Sequence, residues 1–308
     1  MISDMLIWAT GVPLALALTA LLLVRLGGPN EATLGRRLDL TAPLALGLAY
    51  AAGHLGLQGA PGLGIEGGLL TISLGGALLS MGLAWLKPGP RLASLVRFGA
   101  AALAAWVLLS PLAQPQAWTP AQFAGNLGLT TVAMVAMWMG LERLLERAPG
   151  QAVTLALVVL AAGSSGVVVM GSLAFTARLL APLAAGLGAA FMLNLTRPEP
   201  RTLRATVAPL LSLTLVSHWA AAMFYGDLPL VSLSLLVLAP LPLLLLTSAA
   251  VLRAGQVAAL AAALGLTAIP LAGAALPAAL KYFGSGDHAG ASDHSDSDSD
   301  ANNDNYGY

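Results

Sequence analysis

The sequence contains no cysteine among its 308 residues. This absence excludes disulfide bonds, thiolate metal sites and cysteine nucleophiles. Charged residues are also scarce, because they make up 9% of the chain whereas hydrophobic residues make up 57%. In an ordinary soluble domain about a quarter of the residues are charged. The composition therefore indicates an integral membrane protein.

Several motifs of cofactor and nucleic-acid chemistry are missing as well. The sequence has no glycine-rich phosphate loop, no dinucleotide-binding fingerprint, no HExxH zinc motif and no basic patch of the kind that binds nucleic acid. We therefore expect no cofactor, no nucleic-acid partner and no metal ion within the membrane domain. A protein without enzymatic activity is the favoured interpretation.

Long apolar runs are what the chain has instead. A run of about 18 or more apolar residues is long enough to cross the hydrocarbon core of a bilayer as a helix. Glycine and proline breakers separate such runs and predict ten helical spans. The fold class is therefore all-α, a polytopic helix bundle in contact with the lipid bilayer. The spans lie at about 5–24, 38–58, 69–86, 92–112, 123–141, 152–170, 173–195, 203–225, 228–251 and 256–280.

Twelve of the fourteen basic residues fall in every second connection between these spans, and Arg178 and Lys281 are the exceptions. The five basic segments contain Arg25 to Arg37, Lys87 to Arg97, Arg143 to Arg147, Arg197 to Arg204, and Arg253. Short cytoplasmic loops retain Lys and Arg, so these segments are predicted to be cytoplasmic and both termini to lie outside. We expect a multi-pass protein of the cell membrane, in a bacterial inner membrane.

The chain divides into a membrane domain at 1–283 and an acidic tail at 284–308. The tail is rich in Asp and Ser and has no aliphatic residue larger than Ala, so it is predicted to be disordered. It does not form an EF-hand, because Ala301 and Gly307 replace the glycine and glutamate of that loop. Weak binding of divalent cations is an open alternative, through His288, His294, Asp296, Asp298 and Asp300.

Polar residues within the spans are the candidates for a substrate cavity, because buried ionisable groups in membranes are costly and mark function. All of them lie in the outward halves of their spans in the predicted topology, which suits a cavity open to the outside. For Arg178 an alternative is that its long side chain reaches the interface. The candidates are His54, Asn126, Ser164, Ser165, Arg178 and His218.

One pair of these residues predicts a specific chemistry. Ser165 belongs to the sequence Gly163-Ser164-Ser165-Gly166, and His218 lies two spans later at a similar depth. A serine hydroxyl becomes a nucleophile when a nearby base removes its proton. In this feature the chain resembles the rhomboid family of intramembrane serine proteases, which implies a catalytic Ser165 and His218. It departs from that family in having ten spans and no Trp-Arg motif.

Two functions without a catalytic site remain open. Ten spans divide into five plus five, and halves of odd helix number have opposite orientations, as in many transporters of small molecules or lipids. The length is similar to that of the drug/metabolite transporter superfamily, although that family has cytoplasmic termini. The scarcity of buried charge instead favours a non-enzymatic subunit that packs against other membrane proteins.

Overall fold

The computed structural model describes residues 5–27, 31–59, 62, 64–114, 116–171, 173–196 and 201–284. In this part of the chain ten helices are long and apolar enough to cross a membrane, so the predicted all-α, multi-pass fold is confirmed. The predicted tail, with its candidate cation ligands, lies outside the described residues apart from its first residue.

The main helices are α1 Val12–Leu26, α2 Glu31–Gln58, α3 Ile65–Leu86, α4 Pro90–Leu109, α5 Pro120–Arg147, α6 Gly150–Met170, α7 Ala174–Thr196, α8 Ala208–Phe224, α9 Leu230–Leu238 and α10 Gln256–Gly284.

Helix α8 forms the centre of the bundle. It is buried on all sides, from Ala208 to Ala222, and it packs mainly against α3 and α5. A helix that is apolar all round is stable only when other helices surround it or lipid covers it. The outer helices instead expose large apolar side chains, such as Leu95 and Phe98 on α4, to the bilayer.

The predicted tight hairpin between the sixth and seventh spans is present. Helix α6 ends at Met170 and α7 begins at Ala174. The Gly171 carbonyl accepts a hydrogen bond from the Asp227 amide at 2.8 Å, which ties this hairpin to the α8–α9 turn. Helices α6 and α7 pack closely against each other along their length.

The ninth span is interrupted. Helix α9 ends at Leu238, and the chain continues through one short turn at Pro240–Leu243 and a 3-10 turn at Leu244–Thr247. Proline has no backbone N–H and its ring clashes with the preceding turn, so Pro240 and Pro242 prevent a continuous α-helix. The sequence predicted one span from 228 to 251 and did not predict this break.

Four of the basic segments are joined by contacts at one end of the bundle, which we call the basic end. Arg204 forms an ion pair with Asp39 at 3.3 Å, and Arg201 donates to the carbonyl oxygens of Leu145 and Glu146 at 3.2 Å each. Arg97 forms an ion pair with Glu142 at 2.6 Å. Successive helices therefore alternate in direction. We call the opposite end, where α2, α6 and α8 finish, the far end.

Candidate functional site

A buried hydrogen bond between α2 and α8 is the centre of the candidate site. The Tyr50 hydroxyl lies 3.0 Å from His218 Nε2, and His218 Nδ1 lies 2.7 Å from the Thr214 carbonyl oxygen. A carbonyl only accepts, so Nδ1 carries the proton and Nε2 of the neutral ring is an acceptor. Tyr50 therefore donates its hydroxyl proton to His218. Both side chains are fully buried.

A second pair of hydroxyls extends this network to α3. Thr214 Oγ1 donates to Ser73 Oγ at 3.1 Å, and Ser73 Oγ donates to the Leu69 carbonyl oxygen at 2.9 Å. Both side chains are fully buried. Thr214 lies about 15 Å from the far end of α8 at 1.5 Å per residue, which is close to the middle of a bilayer. The network therefore joins α2, α3 and α8 at mid-membrane depth.

His54 is the exception to this complete pairing. It lies one helical turn from Tyr50 on α2, with the two ring centroids 5.9 Å apart. The imidazole is fully buried, and neither Nδ1 nor Nε2 has a hydrogen-bond partner in the described part of the chain. A neutral imidazole always carries one donor and one acceptor, and leaving such groups buried and unpaired costs about 1–3 kcal/mol each. His54 is therefore an unsatisfied polar group beside the Tyr50–His218 pair.

Other unpaired polar atoms lie in the same half of the bundle. Among the uncharged side chains of the described residues, Thr176 Oγ1, Ser217 Oγ and Trp219 Nε1 are also buried without a partner. All three belong to the far halves of α7 and α8. Buried polar groups normally have partners, so several exceptions in one region indicate a place where water or a ligand binds.

The remaining residues predicted from the sequence lie apart from this network. Ser165 Oγ donates to the Ala177 carbonyl at 2.8 Å, and Ser164 Oγ donates to the Ala161 carbonyl at 3.1 Å. Both ring nitrogens of His218 bond to other partners, so no hydrogen bond joins Ser165 to His218 in this structure. Arg178 is exposed on α7, and Asn126 is half-buried on α5. Of the six candidates, the structure brings together His54 and His218.

The predicted tail ligands His288, His294, Asp296, Asp298 and Asp300 fall outside the residues that the structure describes. Within the described ranges, no group of three or more His, Asp or Glu side chains is placed to hold a metal ion. The expectation of cation binding at the tail stays a prediction.

The polar residues of the basic end form a hydrogen-bonded cluster around Asn194. Its Oδ1 accepts from Thr202 N at 3.0 Å, Thr202 Oγ1 at 2.8 Å and Arg25 Nη2 at 3.3 Å. Its Nδ2 donates to Thr154 Oγ1 at 3.0 Å. Gln151 donates to the Asn194 carbonyl at 2.6 Å. These contacts join α1, α6 and α7, and we interpret the cluster as a structural clamp.

Clefts lined by described residues lie at different places on the surface. A cleft of about 360 Å³ at the basic end is lined by Gln151, Arg201 and Gln256. A second of about 410 Å³ lies at the far end between the start of α3 and the end of α4, and a third of about 540 Å³ lies beside the start of α4. None of these three clefts is lined by Tyr50 or His54. The side chains of Tyr50, His54, Ser73, Thr214 and His218 are each fully buried, so the polar network is closed to solvent in this conformation.

Tyr50, Ser73 and Thr214 were not predicted as site residues. Each appears in the sequence as one polar side chain in an apolar run, which is common in membrane helices. A usable signal was the spacing, because Tyr50 and His54 on α2, like Thr214 and His218 on α8, are four residues apart and share a helix face.

The comparisons with known proteins add no assignment to this geometry. No protein-family model matches the sequence, and no curated protein matches it at a significant level.

Proposed function

We propose that the protein is a membrane transporter of a small polar molecule, and that the solute binds at the Tyr50–His54–His218 cluster. The observation that carries the proposal is the fully buried His54 ring with two unpaired nitrogens. A structural histidine in a lipid-embedded bundle would be expected to have partners, as His218 does. A solute that hydrogen-bonds to His54 supplies the missing partner.

The position of the cluster supports this function. Tyr50 and Ser73 belong to the first five helices, whereas Thr214 and His218 belong to the last five. Transporters with two repeated halves bind their substrates near the membrane midplane, at the contact between the halves. The described clefts do not reach the cluster, so the structure represents an occluded conformation in this proposal.

The proposal predicts a ligand whose binding depends on His54. We would purify the protein in lipid nanodiscs and screen a library of small polar metabolites for those that raise its melting temperature. A ligand at about 100 times its Kd stabilises the folded state by about 2.7 kcal/mol. We expect at least one solute to stabilise the wild type and to lose its effect in His54→Leu.

Arg178→Gln is the matched control, because Arg178 is an exposed polar residue on the same half of the bundle. It should keep the response to the solute. An equal response of His54→Leu and the wild type would contradict the proposed site. If no solute acts and the protein purifies with a stoichiometric partner, the alternative function as a subunit of a membrane complex is supported instead.

A further inference from the structure

The helix pair α1–α2 is repeated in sequence as the pair α6–α7. When residue numbers are shifted by 139 without a gap, fourteen of the 36 positions from Leu16 to Ala51 are identical. The longest match is Ala42-Pro43-Leu44-Ala45 with Ala181-Pro182-Leu183-Ala184, which is followed in both copies by a Gly-Leu pair after one further residue. The pairs are five helices apart, so they run in opposite directions through the membrane.

The two copies pack against each other through the repeated segment. A methyl group added at Gly186 would lie 3.5 Å from Ala49 Cβ and 3.0 Å from Leu46 Cδ2, and one at Gly53 would overlap the Pro182 ring. Leu48 and Leu187 are equivalent positions in the repeat, but Leu187 is fully buried whereas Leu48 is 51% exposed. Close approach of small residues of this kind stabilises contacts between membrane helices.

The outer helices of the two pairs are placed differently. Helix α1 packs against both α2 and α7. Its equivalent, α6, packs against α7 and α10, and the described residues show no comparable contact between α6 and α2. In the repeat, a contact of α6 with α2 would be equivalent to the contact of α1 with α7. Only the α1–α7 contact is seen among the described residues.

The face of α1 that contacts α7 has an equivalent buried face on α6. The buried residues of α1 form a stripe at four-residue spacing, and every equivalent residue of α6 is also buried. The stripe is Pro13, Ala17, Leu21 and Arg25 on α1, and Ala152, Ala156, Leu160 and Ser164 on α6. Ala17 faces Gly186, with 3.9 Å between Ala17 Cβ and a Cβ built on that glycine. Their equivalents, Ala156 and Gly47, are the same residue types.

We infer that the protein has a second conformation in which α6 packs against α2 as α1 now packs against α7. In this conformation the contact between α1 and α7 at the basic end is broken, and a contact between α6 and α2 at the far end is formed. This motion gives the proposed transport function alternating access to the two sides. The role of this motion rests on the proposed transport function, but the existence of the second conformation can be tested without any solute.

The repeat also assigns a partner to His54 in the second conformation. At the basic end, Arg25 Nη1 donates to the Leu193 carbonyl at 3.0 Å. The equivalents of Arg25 and Leu193 are Ser164 and His54. An exchange of conformations therefore brings Ser164 from α6 next to His54 on α2. In the present structure the Asn194 clamp joins α1 to α7 at the basic end, and the described residues contain no corresponding hydrogen bond to His54.

Cysteine cross-linking tests this inference directly, because the chain has no native cysteine. Membranes containing paired cysteine variants would be treated with a short bifunctional thiol reagent. The reference pair is Ala17→Cys with Gly186→Cys, which the present structure places in contact. The test pair is His54→Cys with Ser164→Cys, which the second conformation places in contact and which belong to two helices without a comparable contact in the described part of the present structure. We expect both pairs to form an intramolecular cross-link.

A second test pair avoids the proposed binding site. It combines Gly47→Cys and Ala156→Cys with Ala77→Gly, because a side chain at Gly47 would otherwise overlap Ala77 Cβ. Leu55→Cys with Ser164→Cys is the specificity control, since Leu55 follows His54 but is 45% exposed on the outer side of α2. This control should not cross-link.

Each outcome decides a different point. If the reference pair reacts but both test pairs react no more than the Leu55 control, the second conformation is overturned. Failure of the reference pair would overturn the packing of α1 on α7 from which the inference starts. Cross-linking of the test pairs in a protein that responds to no solute would retain the exchange and reject the transport function.

Discussion

At the scale of single residues, Tyr50 and His54 are polar side chains one turn apart on the same helix that differ in their hydrogen bonding. Tyr50 is paired with His218. His54 has no partner among the described residues. Removing one member of a buried hydrogen bond leaves the other unsatisfied, whereas replacing an unpaired polar group by an apolar one removes a cost.

We therefore predict that Tyr50→Phe lowers the free energy of unfolding by about 1–3 kcal/mol, because His218 Nε2 loses its donor. His54→Leu should leave stability unchanged or increase it. Thermal unfolding of both variants in the same detergent measures the difference. A loss of stability in His54→Leu equal to that in Tyr50→Phe would show that His54 has a structural partner.

The sequence identified only part of this cluster. It predicted His54 and His218, since ionisable residues are conspicuous in an apolar span. It did not predict which polar residues meet, because Ser165 and His218 match in depth but bond elsewhere, and depth does not determine the direction in which a side chain points. Tyr50 was missed because a single tyrosine in a membrane helix is ordinary.

At the scale of helices, a cluster of polar side chains around Asn194 holds the helices together at the basic end. Asn194 on α7 reaches Thr154 on α6, Arg25 on α1 and the segment that precedes α8 through Thr202. Hydrogen bonds that involve a charged group are worth about 1.5–3 kcal/mol, more than those between neutral groups. The clamp therefore contributes substantially to the position of α1.

We predict that Asn194→Leu destabilises the protein by about 3 kcal/mol, because three donors and one acceptor lose their partner together. Asn126→Leu is the matched control, since Asn126 is half-buried and belongs to no hydrogen bond seen in the described ranges. Differential unfolding of the two variants checks this. Similar melting temperatures for both would contradict the structural role of the clamp.

Helix positions were predictable from hydropathy, whereas two properties of the helices were not. The break after Leu238 was missed because an apolar run with two prolines still satisfies the length and hydropathy of one span. The repeat between α1–α2 and α6–α7 was missed because Ala and Leu are so frequent that identities occur by chance throughout the chain. The contacts of Gly186 with Ala17 and Ala49 draw attention to the matching positions.

At the scale of the whole molecule, the basic segments that the structure brings to one end predict its orientation in the membrane. Positively charged loops are retained in the cytoplasm. We expect a reporter fused after Gly150 to be cytoplasmic and one fused after Gly284 to lie outside. Activity of each reporter on the opposite side would reverse the orientation of the basic and far ends.

In the proposed function a solute crosses the membrane by way of His54. Solute uptake into proteoliposomes measures this most directly, with the solute found by the stabilisation screen and equal amounts of wild type or His54→Leu incorporated. We predict uptake by the wild type above that of empty liposomes and uptake by His54→Leu at the empty-liposome level. Equal uptake by both proteins, or none by the wild type, would contradict it.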